Sequence, residues 1–139
     1  MVRRLTGMLC ATIAGMLSFA MSGYGSYMLV ASGLNQNSIA TFLFCFLPML
    51  SFPVCLFSLW KRKPAAVLHC MLAAGYLAAF TALNWRTCSE HGICSSVAAT
   101  TLETLTTHPM ETMLLIAVFA LCSTLLDRKS QSARLSQRV

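Results

Sequence analysis

The chain has 139 residues, 57% of them hydrophobic and only 10% charged, with a formal net charge of +6. A soluble domain typically carries about 25% charged residues, so this composition cannot clothe a water-facing surface and excludes a soluble fold. Each bilayer crossing takes roughly 17–25 apolar residues, and four crossings use more than half the chain, so residues 1–139 read as a single membrane domain with no separate soluble part.

The placement of charge sets the topology. Nine of the ten Lys and Arg residues fall in three clusters: Arg3/Arg4, Lys61/Arg62/Lys63, and Arg128/Lys129 with Arg134/Arg138. These alternate with four apolar runs, so they share one side if each run crosses once. Lys and Arg near helix ends stay cytoplasmic. The expectation is an all-α integral membrane protein, a four-transmembrane-helix bundle with both termini inside. It would be multi-pass in a cell membrane, the bacterial inner membrane or its equivalent. The basic clusters suit the lipid bilayer's anionic headgroups, at about 1 kcal/mol per residue. Nucleic-acid binding is not expected.

The first predicted helix covers about 5–31. Its start competes with a signal peptide, since Ala20-Met21-Ser22 has the small-x-small form of a cleavage site. The run stays apolar through Tyr24, Tyr27, Leu29 and Val30, which favours a retained helix. Gly7, Ala11 and Gly15 recur every fourth residue, as do Ala14, Ser18, Ser22 and Ser26. Small residues at that interval let another helix backbone approach closely. An uncharged outer loop, 32–38, has turn composition.

The second predicted helix, 39–60, contains Pro48 and Pro53. Each removes a backbone hydrogen bond, a loss that neighbours can make good within a membrane. Trp60 is placed as an interfacial anchor. The third helix, 64–84, opens on Pro64 after the basic trio. Its Ala74, Ala78 and Ala82, with Gly75 and Ala79, make it thin and suited to the bundle centre. The outer loop 85–108 holds Cys88 and Cys94. Within it a short interfacial helix could place Val97, Ala98, Thr101, Leu102 and Leu105 on one face, with Thr100 and Glu103 as a capping box. The last helix, 109–126, begins Pro109-Met110-Glu111 and leads into a polar cytoplasmic tail, 127–139.

Several side chains could carry chemistry. Cys88 and Cys94, close together on the outer side, are expected to form a disulfide. Cys10, Cys55, Cys70 and Cys122 lie at similar depth near the cytoplasmic ends, one per helix, where four thiols could bind a soft metal. His91 and His108 are further candidate ligands, and His69 is the one deep ionisable side chain. Met21, Met28, Met110 and Met113 add soft donors toward the outer half. The bland alternative is that Cys and Met fill apolar cores. No buried carboxylate exists to relay protons for an ion-coupled carrier. Ser/His/Asp and phosphate-loop patterns are missing, so neither enzymatic activity nor a cofactor is expected.

In topology the chain resembles the membrane disulfide-generating oxidoreductases: four helices, both ends inside, cysteines in an outer loop. That resemblance implies passage of electrons from a partner's thiols to a quinone. The plan needs a C-x-x-C pair and a second pair, whereas the first outer loop here has no cysteine and no C-x-x-C occurs. Three readings therefore stand. The first is a non-enzymatic accessory, regulatory or protective protein, acting through helix–helix and outer-loop contacts with another membrane protein or by self-association. Gly7, Ala11, Gly15, Ala74 and Ala78 would be its packing residues. The second is a small transporter or sensor for a soft metal, and the third a thiol-disulfide oxidoreductase.

Overall fold

The computed structural model describes residues 2–31, 39–92 and 96–136, with side chains except at 3, 4 and 127–136. Five helices follow in order: α1 (Val2–Ala31), α2 (Ile39–Ser58), α3 (Arg62–Glu90), α4 (Val97–Leu105) and α5 (His108–Ser136). No strand occurs among the described residues. Four spans are long and apolar enough to cross a membrane: Leu5–Ala31, Ile39–Ser58, Arg62–Glu90 and His108–Leu126.

Contacts along the seams show how the helices run. Gly7 lies against Leu126 and Gly15 against Cys55, while Gly25 meets Cys45 and Gly75 meets Leu47. α1 is thus antiparallel to α2 and to the spanning part of α5, and α2 is antiparallel to α3. α1 and α3 each pack against both α2 and α5, closing a ring in the order α1–α2–α3–α5, and α4 rests mainly on α3. The start of α1, the Lys61/Arg62/Lys63 trio and the close of the last span share one end of this ring, the basic end.

The ring interior is built from Met21, Phe44, Cys45, Leu72, Ala73, Tyr76, Met110, Met113, Ile116 and Ala117. Phe44 stacks on Tyr76 with ring centroids 5.2 Å apart and also meets Phe80 at 5.0 Å. Offset aromatic pairs of this kind add about 0.5–1.5 kcal/mol beyond area burial. The three buried methionines pack in this core beside Cys45, as space-filling side chains do. Outward, large apolar side chains stay exposed on every long helix, among them Met16, Phe19, Leu56, Met71, Leu115 and Val118.

Some boundaries differ from the sequence expectation. α3 runs on from the expected end at Asn84 to Glu90. The segment Asn84-Trp85-Arg86 contains no helix breaker, and Arg86 pairs with Glu90 one turn on, at 3.0 Å. The helix stops just before Gly92, which takes φ +67, a left-handed conformation that glycine adopts without steric cost. α5 likewise continues to Ser136, so the expected tail 127–139 is helical over most of its length. Arg, Lys, Gln, Ala and Leu dominate there, and all favour helix.

Candidate functional site

Among the described glycines, Gly25 on the α1–α2 seam is the most tightly enclosed. A Cβ added at Gly25 would lie 2.7 Å from the Cys45 carbonyl oxygen and 3.0 Å from the Met49 nitrogen. Backbone meets backbone there, so no side chain can yield. Polar side chains tie the same seam: Ser51 Oγ shares its proton between the Pro48 carbonyl of its own helix at 2.6 Å and the Ser18 carbonyl of α1 at 3.0 Å, and Ser22 Oγ donates to the Met49 carbonyl at 3.2 Å. Met49 is four residues before Pro53, so its carbonyl is the one that Pro53 leaves without its usual helical donor. Ser22 supplies that donor from the neighbouring helix. The proline's cost is met across the interface, which is how a membrane helix can keep a proline.

The expected packing residues divide into two sets. Gly7 is buried, with Ser123 Oγ donating to its carbonyl at 3.1 Å. A methyl at Gly15 would sit 3.4 Å from the Cys55 sulfur, and Ala11 is half-buried beside them. By contrast Ala74, Ala78 and Ala82 are all exposed. They do not occupy the centre of the ring; the small residues α3 buries are Ala65, Ala66, Ala73 and Ala79. The phase is set by Leu72 and Tyr76, whose bulk fills the interior, and this turns the regular alanine stripe outward.

At the basic end a cavity of about 30 Å³ lies between all four long helices, lined by Ala11, Ala14, Cys55, Ser58, Arg62, His69, Ala120, Ser123 and Thr124. His69 is 3% exposed. Of the four thiols expected to form an inner metal layer, Cys55 faces this cavity, while Cys10, Cys70 and Cys122 are half-buried elsewhere. No three His, Cys, Asp or Glu side chains converge as metal ligands among the described residues. Equal depth on four helices does not bring side chains together unless their angular phases also agree, and here they do not.

At the opposite end the candidate residues are spread out. Cys88 is a half-buried free thiol in the last turn of α3; Cys94, its expected disulfide partner, lies outside the described residues. His91 is exposed with Nδ1 2.8 Å from the Thr87 carbonyl oxygen, and His108 is exposed with Nδ1 3.5 Å from Glu111. The short helix expected in this loop is present as α4 (Val97–Leu105), and its cap differs from the expected one. Ser96, not Thr100, is the N-cap, its hydroxyl accepting from the Ala99 amide at 3.1 Å. Thr100 and Thr104 point inward and Val97, Ala98 and Leu102 outward. Each inward threonine donates to its own helix, Thr100 to the Ser96 carbonyl and Thr104 to the Thr100 carbonyl. With its proton so used, threonine presents a methyl and an acceptor, and at Thr104 that acceptor takes a hydrogen bond from Asn84 Nδ2 on α3 at 3.0 Å.

Gly25 and the Ser22–Met49 bond are not among the sequence-based expectations, although signals for both exist. Gly25 lies seven residues beyond Ser18 and eleven beyond Ala14, both nearly whole numbers of turns at 3.6 residues per turn and so on the same face, and Pro53 demands a donor for residue 49. Compared with protein-family models, curated proteins and solved structures, the chain matches none.

Proposed function

We propose that the protein is a multi-pass membrane component, a four-helix bundle with both termini cytoplasmic, that works by contact rather than catalysis. Its role is accessory, regulatory or protective. The observation that carries this reading is the outward face of α3. Val67, Met71, Ala74, Ala78 and Ala82 follow one another along it, every one exposed. Large side chains at one end and three alanines beyond them make a notch into which another transmembrane helix can pack closely. A surface meeting lipid alone has no need of such a recess.

The bilayer setting is supported by the four spans, by the large exposed apolar side chains around the ring, and by Trp60, 85% exposed beside the Lys61/Arg62/Lys63 trio. Trp next to basic residues is the composition of a cytoplasmic interface. α4, with its aliphatic face outward, would lie in the outer interface. The soft-metal alternative has no assembled ligand set among the described residues to support it.

A photoreactive amino acid at position 78 tests the contact. Irradiation in native membranes should capture a protein, either a second copy or another membrane protein, whereas the same probe at Leu115 on α5 should capture lipid. Lipid alone at both positions would end the proposal. For topology, a fluorescent reporter active only in the cytoplasm should be bright when fused after Val139 and dark when placed after Asn35.

A further inference from the structure

The cavity at the basic end has a chemistry that selects its occupant. Its polar lining comes from Cys55 and Ser58 on α2, Arg62 and His69 on α3, and Ser123 and Thr124 on α5, with Ala11 and Ala14 of α1 completing the wall. The three hydroxyl protons are already committed. Ser58 donates to the Cys55 carbonyl at 2.6 Å, Ser123 to the Gly7 carbonyl at 3.1 Å, and Thr124 to the Leu121 carbonyl at 2.8 Å. What these hydroxyls turn toward the cavity is lone pairs.

His69 is the second observation. It is only 3% exposed, it lines the cavity, and its side chain makes no hydrogen bond or ion pair to the described residues. An imidazole enclosed in this way keeps its hydration only through water that enters the cavity. Neutral imidazole offers one donor and one acceptor. The occupant must therefore give protons to hydroxyl oxygens and also exchange a hydrogen bond with His69.

Size and charge narrow the choice. A volume of about 30 Å³ holds one or two water molecules, since roughly 10–15 Å³ on this measure suffices for one. Phosphate or a lipid headgroup exceeds that volume. A monoatomic anion would find a cationic partner in Arg62 but would face the lone pairs of three hydroxyls, which only a proton donor can satisfy, and a metal cation would meet Arg62 with only Cys55 and His69 as strong ligands.

We propose that this cavity is a hydration site, taking water as a ligand that bridges His69 on α3 to the hydroxyls of Ser58 on α2 and of Ser123 and Thr124 on α5. Through Ser123, which holds the Gly7 carbonyl, the water network ties all four long helices at the basic end. It is a polar joint in a wall otherwise formed by three alanines, Cys55 and Arg62. The site is independent of the contact surface on α3.

The test uses the full chain in bilayer nanodiscs, with isotope labelling and water-selected nuclear Overhauser spectroscopy. Cross-peaks of the sign of a long-lived bound water are expected at the His69 ring protons. They should persist in His69→Gln, read at the new side-chain amide, and vanish in His69→Leu when read at the Ser123 amide. Filling the cavity gives a sign test. In a dry cavity Ala14→Val would raise Tm by adding contacts. In a hydrated one it expels the water and strands His69, so Tm should fall. That fall should shrink when Ala14→Val is combined with His69→Leu, because no imidazole remains to be stranded; a purely steric clash would leave it unchanged. Absence of water contacts at His69, or a raised Tm for Ala14→Val, would overturn the proposal.

Discussion

The α1–α2 seam and the outward face of α3 carry the same sequence signature and use it in opposite ways. Both place small residues about every fourth position. On α1 those positions turn inward, and at Gly25 the space is filled by the backbone of α2. On α3 the stripe Ala74, Ala78, Ala82 is exposed while the helix packs with its other side. Regular small residues therefore say that close approach is sterically allowed, and say nothing about which helix takes the place. Polar atoms mark the difference: the seam on α1 is stitched by Ser22 and Ser51, whereas the three alanines on α3 have no polar side chain to bond with their own ring.

The largest effect separating the two regions should come from Gly25. Adding one methyl there forces it to 2.7 Å from a backbone oxygen, and overpacking of this kind typically costs about 1–3 kcal/mol. Gly25→Ala should lower Tm clearly in bilayer or detergent, and Gly25→Leu should prevent the native α1–α2 pairing. Near-native stability of Gly25→Leu would mean that the seam is not where the helices are held together.

Next in size is the donor that Ser22 lends to α2. Ser22→Ala should cost roughly 1 kcal/mol, within the range of interhelical hydrogen bonds in membranes. The decisive measurement is a double-mutant cycle with Pro53→Ala, which restores the amide that normally serves the residue-49 carbonyl. In that background the loss of the Ser22 hydroxyl should matter less. Strict additivity would show that Ser22 does not compensate for the proline.

Within α1 itself the same substitution should change sign. A methyl at Gly7 meets nothing closer than Leu126 Cβ at 3.7 Å, and at Gly23 nothing within 4 Å among the described residues. Gly→Ala there adds ordinary contact or none and gains helix propensity, up to about 1 kcal/mol. Gly7→Ala and Gly23→Ala should thus be neutral or stabilising. A large loss at Gly7 would show that α5 sits nearer to α1 than these distances allow.

The pattern of what the sequence reveals follows from the same physics. Charge clusters and apolar length are one-dimensional, so the four spans, and the two prolines inside α2, can be placed from sequence. Angular phase is not. A helix such as α3, apolar nearly all round, gives no polar face from which to read its inside, so its alanine spacing points to the ring centre when the stripe in fact faces outward. α4 shows what a shared face leaves open, namely which way that face turns. Threonine counts as polar in a sequence pattern, yet with its hydroxyl bonded to the preceding turn it packs inward as a small apolar side chain, leaving Val97 and Leu102 outside. The inner thiols show the limit of depth counting: Cys10, Cys55, Cys70 and Cys122 share a level without sharing a direction. His69 is legible as the one deep ionisable residue, but the hydroxyls around it come from α2 and α5 and can be joined to it only in three dimensions.

The smallest expected effect on stability is at the centre of the comparison. Ala78 faces away from the ring, and surface substitutions away from special features usually stay within about 0.5 kcal/mol. Ala78→Leu should therefore leave Tm and insertion unchanged, in contrast to Gly25→Leu. If the stripe is a contact surface, the same variant should nevertheless lose the protein cross-linked through a photoprobe at Ala74, because leucine fills the notch that the incoming helix would occupy. Stability and association are thus predicted to come apart in one substitution. Ala78→Leu that unfolds the chain would place α3's stripe inside the ring, and Ala78→Leu that preserves both Tm and cross-linking would leave the stripe as lipid-facing surface with no partner.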